Sequence, residues 1–213
     1  MTSKDYAGSA REPILKPVPL KDLRPTQITV GFREVEARRT RWKSEASKAA
    51  RARFLQKHLI PVILGPGRKH YILDHHHLAL ALHQEGLEEM YVTVVADLSA
   101  LKEDVFWFVM DNRDWMHPFD RKGVRRPHTA IPHRIDKMQD DPFRSLAGDL
   151  RRGGGFAKDT LLYSEFLWAD FLRRHIKARD VSADFPRALR RARKLAKSKE
   201  ANYLPGWCGR VED

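Results

Sequence analysis

Residues Tyr71–Leu82 restrict the fold more than any other stretch of the chain. Their first three residues predict a short apolar strand, a polar corner follows, and a run of leucines and alanines predicts a helix. Asp74 stands at the corner, where a carboxylate is a favoured N-cap because it accepts the free N–H groups of the first turn. The next residues, His75, His76 and His77, lie at the positive end of the helix dipole, which suits phosphate. The corner therefore predicts an anion or nucleotide site.

The three histidines differ in their expected orientation. His75 is at helical spacing from two leucines of the helix, which favours an inward-facing ring, whereas His76 and His77 are expected to face the cleft. All three are candidates for phosphate binding, because imidazole donates hydrogen bonds to phosphate oxygens. Asp74 and His76 are also candidates for proton transfer. The structural alternative for Asp74 is a helix cap without a catalytic role.

Composition favours a folded protein in a reducing compartment. The chain has 213 residues, of which 42% are hydrophobic, so a packed core is expected. The single cysteine, Cys208, has no partner for an internal disulfide, which fits the cytoplasm. Residues Met1–Tyr6 lack the apolar core of a signal peptide, and no apolar run is long enough to span a bilayer. We therefore expect a cytoplasmic protein without a membrane span.

The charge balance indicates polyanionic partners. The chain has 40 Lys and Arg residues against 28 Asp and Glu residues, a net charge of +12. Such an excess favours nucleotides, phosphorylated small molecules, or nucleic acid bound without sequence preference. The cations form two blocks, within residues 33–53 and 187–199, and both could equally be solvated helix faces. The candidates for nucleic-acid contact in the second block are Arg187, Arg190, Arg191 and Lys194.

The hydrophobic pattern divides the chain into parts. Residues 1–13 are expected to be a flexible N-terminus, residues 14–98 alternate strands and helices, and residues 99–213 are mostly helical, so the predicted class is α+β. Apolar spacing predicts one long helix over Phe32–Lys57 and a second helix from His75 to Gly86. The predicted strands are Val18–Leu20, Ile60–Leu64, His70–Leu73 and Met90–Ala96.

The second part is predicted to consist of helices around one long connection. A helix over Ser99–Arg113 is followed by the irregular residues 114–137, a length that is often functional. Asp140-Asp141-Pro142 predicts the next helix start, because proline is favoured in the first turn. A central helix is predicted over Leu161–Arg179, which is apolar on two sides. The last helix turns its basic block outward and buries Phe185, Leu189, Ala192 and Ala196.

The order of elements and the corner motif resemble the ParB/sulfiredoxin superfamily, and most closely its branch of ParB-like nucleases. The resemblance to the superfamily is carried by Leu23–Gln27, Ile60–Val62 and Asp74–Leu78. Segments typical of the branch are Gly31–Val35, Asp140–Leu146, Ser164–Phe171 and Leu204–Gly209. The resemblance covers nearly the whole chain. It implies a ParB/sulfiredoxin-like N-terminal domain with a small mixed sheet, followed by an all-helical C-terminal domain.

Members of the superfamily use the matching corner in different ways. Chromosome-partitioning members carry Gly-Glu-Arg-Arg and bind nucleotide triphosphate, sulfiredoxins carry Gly-Cys-His-Arg, and free-serine kinases carry Asp-Gly-His-His-Arg. Asp74, His76 and His77 match the kinase motif. His75 stands where that motif has glycine, and Leu78 stands where it has arginine. Because the corner contains no cysteine, sulfiredoxin chemistry is excluded.

The kinase resemblance also implies a carboxylate base. In serine kinases of this fold, a glutamate near the start of the first long helix has that role, and the matching residues here are Glu34, as first candidate, and Glu36, as second. The alternative for both is an ordinary acid in a first helical turn, where the dipole favours it. Arg144 is a candidate for contacting the anion, or alternatively a local carboxylate.

The predicted function is nucleotide or phosphate binding at the Asp74–His77 corner, with phosphoryl-transfer or nucleotide-hydrolysis chemistry. Mg²⁺ would be recruited through the phosphate. A metal bound directly by the protein would need ligands from elsewhere, such as Asp114, His117 or Asp120. The competing classes are a non-enzymatic DNA-binding protein or a ParB-like nuclease that uses the basic C-terminal helix, and an interaction protein with a decayed site. The helical part shows no helix-turn-helix pattern.

Overall fold

A computed structural model describes residues 17–159 and 163–209. The strands in this part of the chain are β1 (Pro17–Pro19), β2 (Leu23–Arg24), β3 (Thr29–Val30), β4 (Ile60–Gly65), β5 (Lys69–Ile72), β6 (Glu89–Asp97) and β7 (Gln139–Asp140). Five of them form one sheet in the order β1-β6-β4-β5-β2, in which antiparallel and parallel pairs alternate. The predicted small mixed sheet is therefore confirmed. β3 and β7 form a separate parallel pair.

Helices make up most of the rest of the described chain. They are α1 (Phe32–Ser44), α2 (Lys48–Lys57), α3 (His76–Gln84), α4 (Glu103–Asn112), α5 (Pro142–Arg152), α6 (Ser164–His175), α7 (Ala178–Ala183) and α8 (Phe185–Ala196). After β7 the described residues contain helices and turns only, so the α+β class with a helical C-terminal part is confirmed. None of the described helices is both long and apolar enough to cross a bilayer.

The prediction of one continuous helix over Phe32–Lys57 was wrong. The helix is interrupted after Ser44, and Ser47 adopts an extended backbone with φ −117° and ψ 155°. The Ser47 hydroxyl accepts a hydrogen bond from the Ala50 N–H at 3.0 Å and so caps α2. Serine is a favoured N-cap, and this local bond competes with helix continuation.

The predicted central helix Leu161–Arg179 is also shorter than expected, and Leu161 itself lies outside the described residues. α6 ends at His175, because Ile176 is extended with φ −126° and ψ 134° and turns its buried side chain into the helical core. The separate helix α7 follows. Trp168 is fully buried in this core, and its indole N–H donates to the Pro205 carbonyl oxygen at 2.8 Å.

The two predicted parts of the chain, residues 14–98 and 99–213, pack against each other. Ile135 and Met138 pack into the core between the sheet, α1 and α3, although both follow the predicted boundary at residue 98. Gly31 lies so close to α5 that a β-carbon there would be 2.6 Å from the Ser145 hydroxyl oxygen. This close contact fixes the start of α1 against the start of α5.

Two adjacent aspartates complete the junction between the parts. The Asp140 carboxylate accepts a hydrogen bond from the Phe32 N–H at 2.8 Å, at the start of α1. The Asp141 carboxylate accepts from the Phe143 N–H at 3.0 Å and caps α5. The two aspartates therefore bond to the starts of two different helices. Because α1 and α5 begin side by side, residues from both parts of the chain meet in the cleft described below.

Candidate functional site

The Asp74–His77 corner has a different geometry from a simple aspartate cap. The Asp74 carboxylate accepts a hydrogen bond from the His75 N–H at 2.6 Å, but the N-cap residue of α3 is His75. The prediction that Asp74 is the N-cap was therefore wrong by one position. The His75 side chain makes no capping bond, so the N–H groups of the first turn of α3 remain donors for another acceptor.

His75 adopts a left-handed backbone, with φ 69° and ψ 25°. Glycine adopts this conformation without strain, which explains why the related kinase motif has glycine at this position. Asp114, with φ 51°, and Tyr163, with φ 61°, share the conformation and line the same cleft as His75. Among the described non-glycine residues, only Arg68 also has positive φ. Strained backbone is therefore concentrated at this cleft, as is common at functional sites.

The cleft has a volume of about 800 Å³, a size typical of small-molecule sites. Its lining residues include the Asp74–His77 corner and residues from the first turns of α1, from α5 and from the start of α6. The cationic lining residues are Arg38, Arg144, Arg151 and Lys158. The anionic lining residues are Glu34, Asp74, Asp114, Asp159 and Glu165.

His76 is only 5% exposed and supports the loop after β2. Its Nε2 atom accepts a hydrogen bond from the Thr26 N–H at 3.1 Å, and the Thr26 hydroxyl donates to the Ile72 carbonyl oxygen at 2.6 Å. Burial lowers the pKa of His76 well below its ordinary value. The ring is therefore neutral at neutral pH and carries its proton on Nδ1.

His77 has the same arrangement one residue later. Its Nε2 atom accepts from the Gly31 N–H at 3.1 Å and lies 3.3 Å from Oε2 of Glu34. Burial, reinforced by the charges of Arg144 and other arginines, lowers the pKa of His77 well below its ordinary value. A neutral Nε2 that accepts from a backbone N–H has no proton for Glu34, so the contact with Glu34 is not an ion pair at neutral pH.

The two glutamate candidates lie in different surroundings. Glu34 is 7% exposed and lines the cleft, where its Oε1 atom accepts a hydrogen bond from Arg152. Glu36 has a side chain that is 59% exposed, pairs with Arg39 at 2.7 Å, and is not among the residues that line the cleft. The fold therefore brings Glu34, and not Glu36, next to the histidines.

Arg144 is the most unusual residue of the cleft. It is 5% exposed, and its guanidinium carbon lies 3.3 Å from the centre of the Phe166 ring. Its Nε and Nη1 atoms have no hydrogen-bond partner within the described residues. Burial lowers the pKa of Arg144 to about 10, so the group is still a cation at neutral pH. Arg144 lines the same cleft as His76 and His77, and its charge also lowers the pKa of both histidines.

The three candidate metal partners do not converge. Asp114 lines the cleft, whereas Asp120 accepts bonds from two backbone N–H groups of its own turn and pairs with Arg126. The His117 ring lies 3.7 Å from the Phe166 ring centre, and burial lowers the pKa of His117 to about 3. Within residues 17–159 and 163–209, no group of three or more His, Cys, Asp or Glu residues is arranged to hold a metal ion.

Other cleft residues had not been predicted from the sequence. Arg151 pairs with Glu165 at 2.6 Å and lies seven residues after Arg144, hence on the same face of α5; this spacing could have identified it. Tyr163 had no such signal. Burial, followed by the charges of Asp114 and Asp74, raises the pKa of Tyr163, so its hydroxyl stays protonated close to both carboxylates.

The candidates for nucleic-acid contact lie outside the cleft, on the solvent-facing side of α8. All four are exposed, and none forms an ion pair with a carboxylate of the described chain. One of them, Arg191, donates a hydrogen bond to the carbonyl oxygen of His175 at 2.7 Å. The four side chains are therefore in contact with solvent, which fits both a solvated helix face and a surface that binds a polyanion.

Comparison with known proteins agrees with the fold. The solved structure of protein Atu1540 from Agrobacterium tumefaciens is similar to this chain, with 50% sequence identity, a TM-score of 0.86, and coverage of 94% of this chain and 100% of that one. No curated protein matches the chain. The family model described as "Putative ParB-like nuclease" matches residues 16–174, which is well over half of the chain. The chain therefore belongs to the ParB-like nuclease family of the ParB/sulfiredoxin superfamily.

Proposed function

We propose that the cleft binds a phosphate-bearing ligand, either a nucleotide or a phosphorylated small molecule, and carries out phosphoryl transfer or hydrolysis on it. The observation that supports this most is Arg144, a buried cation with two nitrogens that have no partner within the described residues. An unsatisfied buried donor costs about 1–3 kcal/mol, and more when it is charged. A bound phosphate would remove that cost, since phosphate is the ligand that a guanidinium fork matches.

The start of α3 supports the same ligand. Its first-turn N–H groups are not capped by His75, and a negative charge at a helix start is favoured by about 0.3–1 kcal/mol, or up to about 2 kcal/mol when partly buried. His76 and His77 use Nε2 to accept backbone bonds, which leaves Nδ1–H as the donor that each ring can offer. The phosphate-binding role expected for these rings is thus compatible with neutral imidazoles.

The catalytic assignment follows from which carboxylates are free. Glu34 is engaged by Arg152 and lies beside His77, whereas the side chain of Asp74 is 76% exposed. Its Oδ1 atom accepts from the adjacent N–H, and its Oδ2 atom lies 3.8 Å from Nε2 of His75. We therefore assign to Asp74 the orientation of the attacking hydroxyl or water, and to Glu34 the positioning of Arg152. Phosphoryl transfer requires mainly such positioning and charge compensation. Mg²⁺ would arrive with the phosphate, and Asp74 and Asp114 are cleft carboxylates that could contact it.

The test is a calorimetric titration of ATP, CTP, ADP, pyrophosphate and phosphate, with and without Mg²⁺. Wild-type protein is expected to bind at least one of them, and Arg144→Gln to bind it about tenfold more weakly or worse, since a charge-assisted bond contributes about 1.5–3 kcal/mol. Arg53→Gln is the matched control, because Arg53 is an exposed arginine on α2 away from the cleft. Equal affinity of wild type and Arg144→Gln would reject the proposal, provided that both proteins melt cooperatively.

A further inference from the structure

Arg144 has an aromatic contact where a buried cation would ordinarily have an ion pair. Its guanidinium carbon lies over the ring of Phe166, which lines the same cleft. Among the residues that the structure describes, no carboxylate lies within ion-pair distance of this guanidinium. The face of an aromatic ring attracts a cation but does not neutralise its charge. The contact with Phe166 therefore holds Arg144 and leaves its charge for a ligand.

The carboxylates that act electrostatically on Arg144 are each engaged by a different arginine. Burial lowers the pKa of Arg144, and the negative charges of three carboxylates partly offset that effect. These carboxylates and their partners are Glu165 with Arg151, Asp141 with Arg173, and Glu34 with Arg152. Because each acid already has a cation of its own, none of them neutralises Arg144. The three partner arginines thus keep the charge of Arg144 available.

The Phe166 ring is linked by further contacts to the start of α3. Its centre lies 3.7 Å from the centre of the His117 ring. The His117 N–H donates to the Thr26 carbonyl oxygen at 2.8 Å, and the Thr26 N–H donates to Nε2 of His76. A continuous set of contacts therefore joins the ring below Arg144 to the first turn of α3. The two groups proposed to contact the phosphate are held by the same network.

We propose that Phe166 is a positioning residue that holds Arg144 free for the phosphate, while the three partner arginines keep the acids away from it. This inference rests on the proposed phosphate-binding function and explains how its main cation stays available. The substitution Phe166→Leu keeps an apolar side chain but removes the aromatic face. The guanidinium is then expected to turn to Glu165, which adjoins Phe166 in sequence and lines the cleft. A phosphate would have to displace that carboxylate in order to bind.

The main experiment is a calorimetric titration of the full-length protein with pyrophosphate, with and without Mg²⁺. The variants are Phe166→Leu, Phe166→Tyr, Arg144→Gln, and the double variant Phe166→Leu/Arg144→Gln. The matched control is Phe185→Leu, which also removes a ring beneath an arginine. The guanidinium carbon of Arg33 lies 3.9 Å from the centre of that ring, and neither residue lines the cleft. Thermal melting checks that every variant is folded.

Phe166→Leu is expected to weaken pyrophosphate binding about tenfold, which is the effect of losing a desolvated cation–π contact. Phe166→Tyr, which keeps the aromatic face, and the control Phe185→Leu should bind as the wild type does. The double variant should bind no more weakly than Arg144→Gln alone, because Phe166 acts through Arg144. Wild-type affinity in Phe166→Leu, or additive losses in the double variant, would overturn the inference.

Arg173 gives an independent test, because it is not among the residues that line the cleft. Its partner Asp141 is buried, and the Asp141 carbonyl oxygen accepts the Arg144 N–H at 3.0 Å. Arg173→Gln removes the partner of a buried carboxylate, so Asp141 is expected to pair with Arg144 and to weaken pyrophosphate binding. Arg173→Gln/Asp141→Asn should restore the affinity. Wild-type affinity in Arg173→Gln, or no recovery in a folded double variant, would contradict the role of the partner arginines.

A measurement without ligand separates this inference from the proposed function. If the wild type binds no pyrophosphate and no other phosphate compound, the proposed function fails. Crystal structures of the wild type and Phe166→Leu then decide the positioning role alone. A guanidinium of Arg144 that moves to Glu165 in the variant supports the role of Phe166. A guanidinium that stays in place without the ring overturns it.

Discussion

At the scale of single residues, the cleft is defined by side chains whose partners are either fixed or missing. His76 and His77 are fixed, because each accepts a backbone N–H through Nε2. Glu34 is fixed by Arg152. Arg144 is the exception, since two of its nitrogens have no partner within the described residues although the group is buried. His76, His77 and Glu34 therefore have structural bonds within the cleft, whereas Arg144 has nitrogens that could bind a ligand.

This separation predicts different outcomes for two carboxylate substitutions. Asp74→Asn should lower phosphoryl-transfer turnover by about 10²–10⁴ with little change in melting temperature, because it removes the proposed orienting group from a mostly exposed position. Glu34→Gln should lower the free energy of unfolding by about 1–2 kcal/mol, because it breaks a partly buried ion pair, and should reduce turnover less than tenfold. Both variants are compared by thermal melting and by phosphate release.

A surface acid in a first turn, as the sequence allowed for Glu34, would change stability by less than about 1 kcal/mol. The larger cost follows from its burial, which only the packing of α5 on α1 reveals. If Glu34→Gln loses more turnover than Asp74→Asn, then Glu34 is the base and the present assignment of roles is wrong.

At the scale of elements, the histidines connect α3 to the loop between β2 and α1. Thr26 and Gly31 each donate a backbone N–H to one imidazole, so these two bonds exist only while the Nε2 atom of each ring is unprotonated. Protonation would replace each acceptor with a donor. The same residues that were expected to bind phosphate therefore also hold a loop beside the cleft.

The lowered imidazole pKa values predict that the protein is destabilised by acid. In the unfolded chain these histidines titrate near pH 6.5, whereas in the folded state burial lowers the pKa of His76, His77 and His117. Below about pH 6.5 the unfolded state then binds more protons than the folded state, so the free energy of unfolding decreases as the pH falls. For His117 this decrease continues to about pH 3, which is the pKa of its ring in the folded state. Urea unfolding between pH 8 and pH 4 measures this.

A matched variant tests the origin of that slope. His117→Phe keeps an aromatic ring beside Phe166 and should flatten the decrease in stability with falling pH. Stability that is independent of pH between 7 and 5 in the wild type would contradict the neutral, buried state of these rings.

Elements with strong local signals were predictable, whereas interruptions were not. The strand, corner and helix of residues 71–82 are specified by residues that are neighbours in sequence, so the corner was found to within one residue. The break at Ser47 and the end of α6 at Ile176 depend on a single cap and a single buried side chain. A single cap or a single buried side chain gives a weaker signal in the sequence than the helical periodicity of the residues around it, so these two helix ends were not predicted.

At the scale of the whole molecule, the cleft exists because two parts of the chain are joined at several points. The pairing of β3 with β7, the contact of Gly31 with Ser145, and the Asp140 bond to Phe32 all hold α5 against α1. Sequence reasoning could name Arg144 and Glu34 as candidates. It could not predict that they and Tyr163 share one cleft, because their proximity depends on how α1, α5 and α6 pack.

A crystal structure of the protein with a non-hydrolysable ATP or CTP analogue and Mg²⁺ would locate the phosphate groups relative to Arg144. We predict a phosphate oxygen within about 2.7–3.2 Å of a guanidinium nitrogen of Arg144, and another within the same distance of an N–H in the first turn of α3. A nucleotide bound with its phosphates on α8 or elsewhere on the surface, with the Arg144 guanidinium still lacking an anion, would contradict the account.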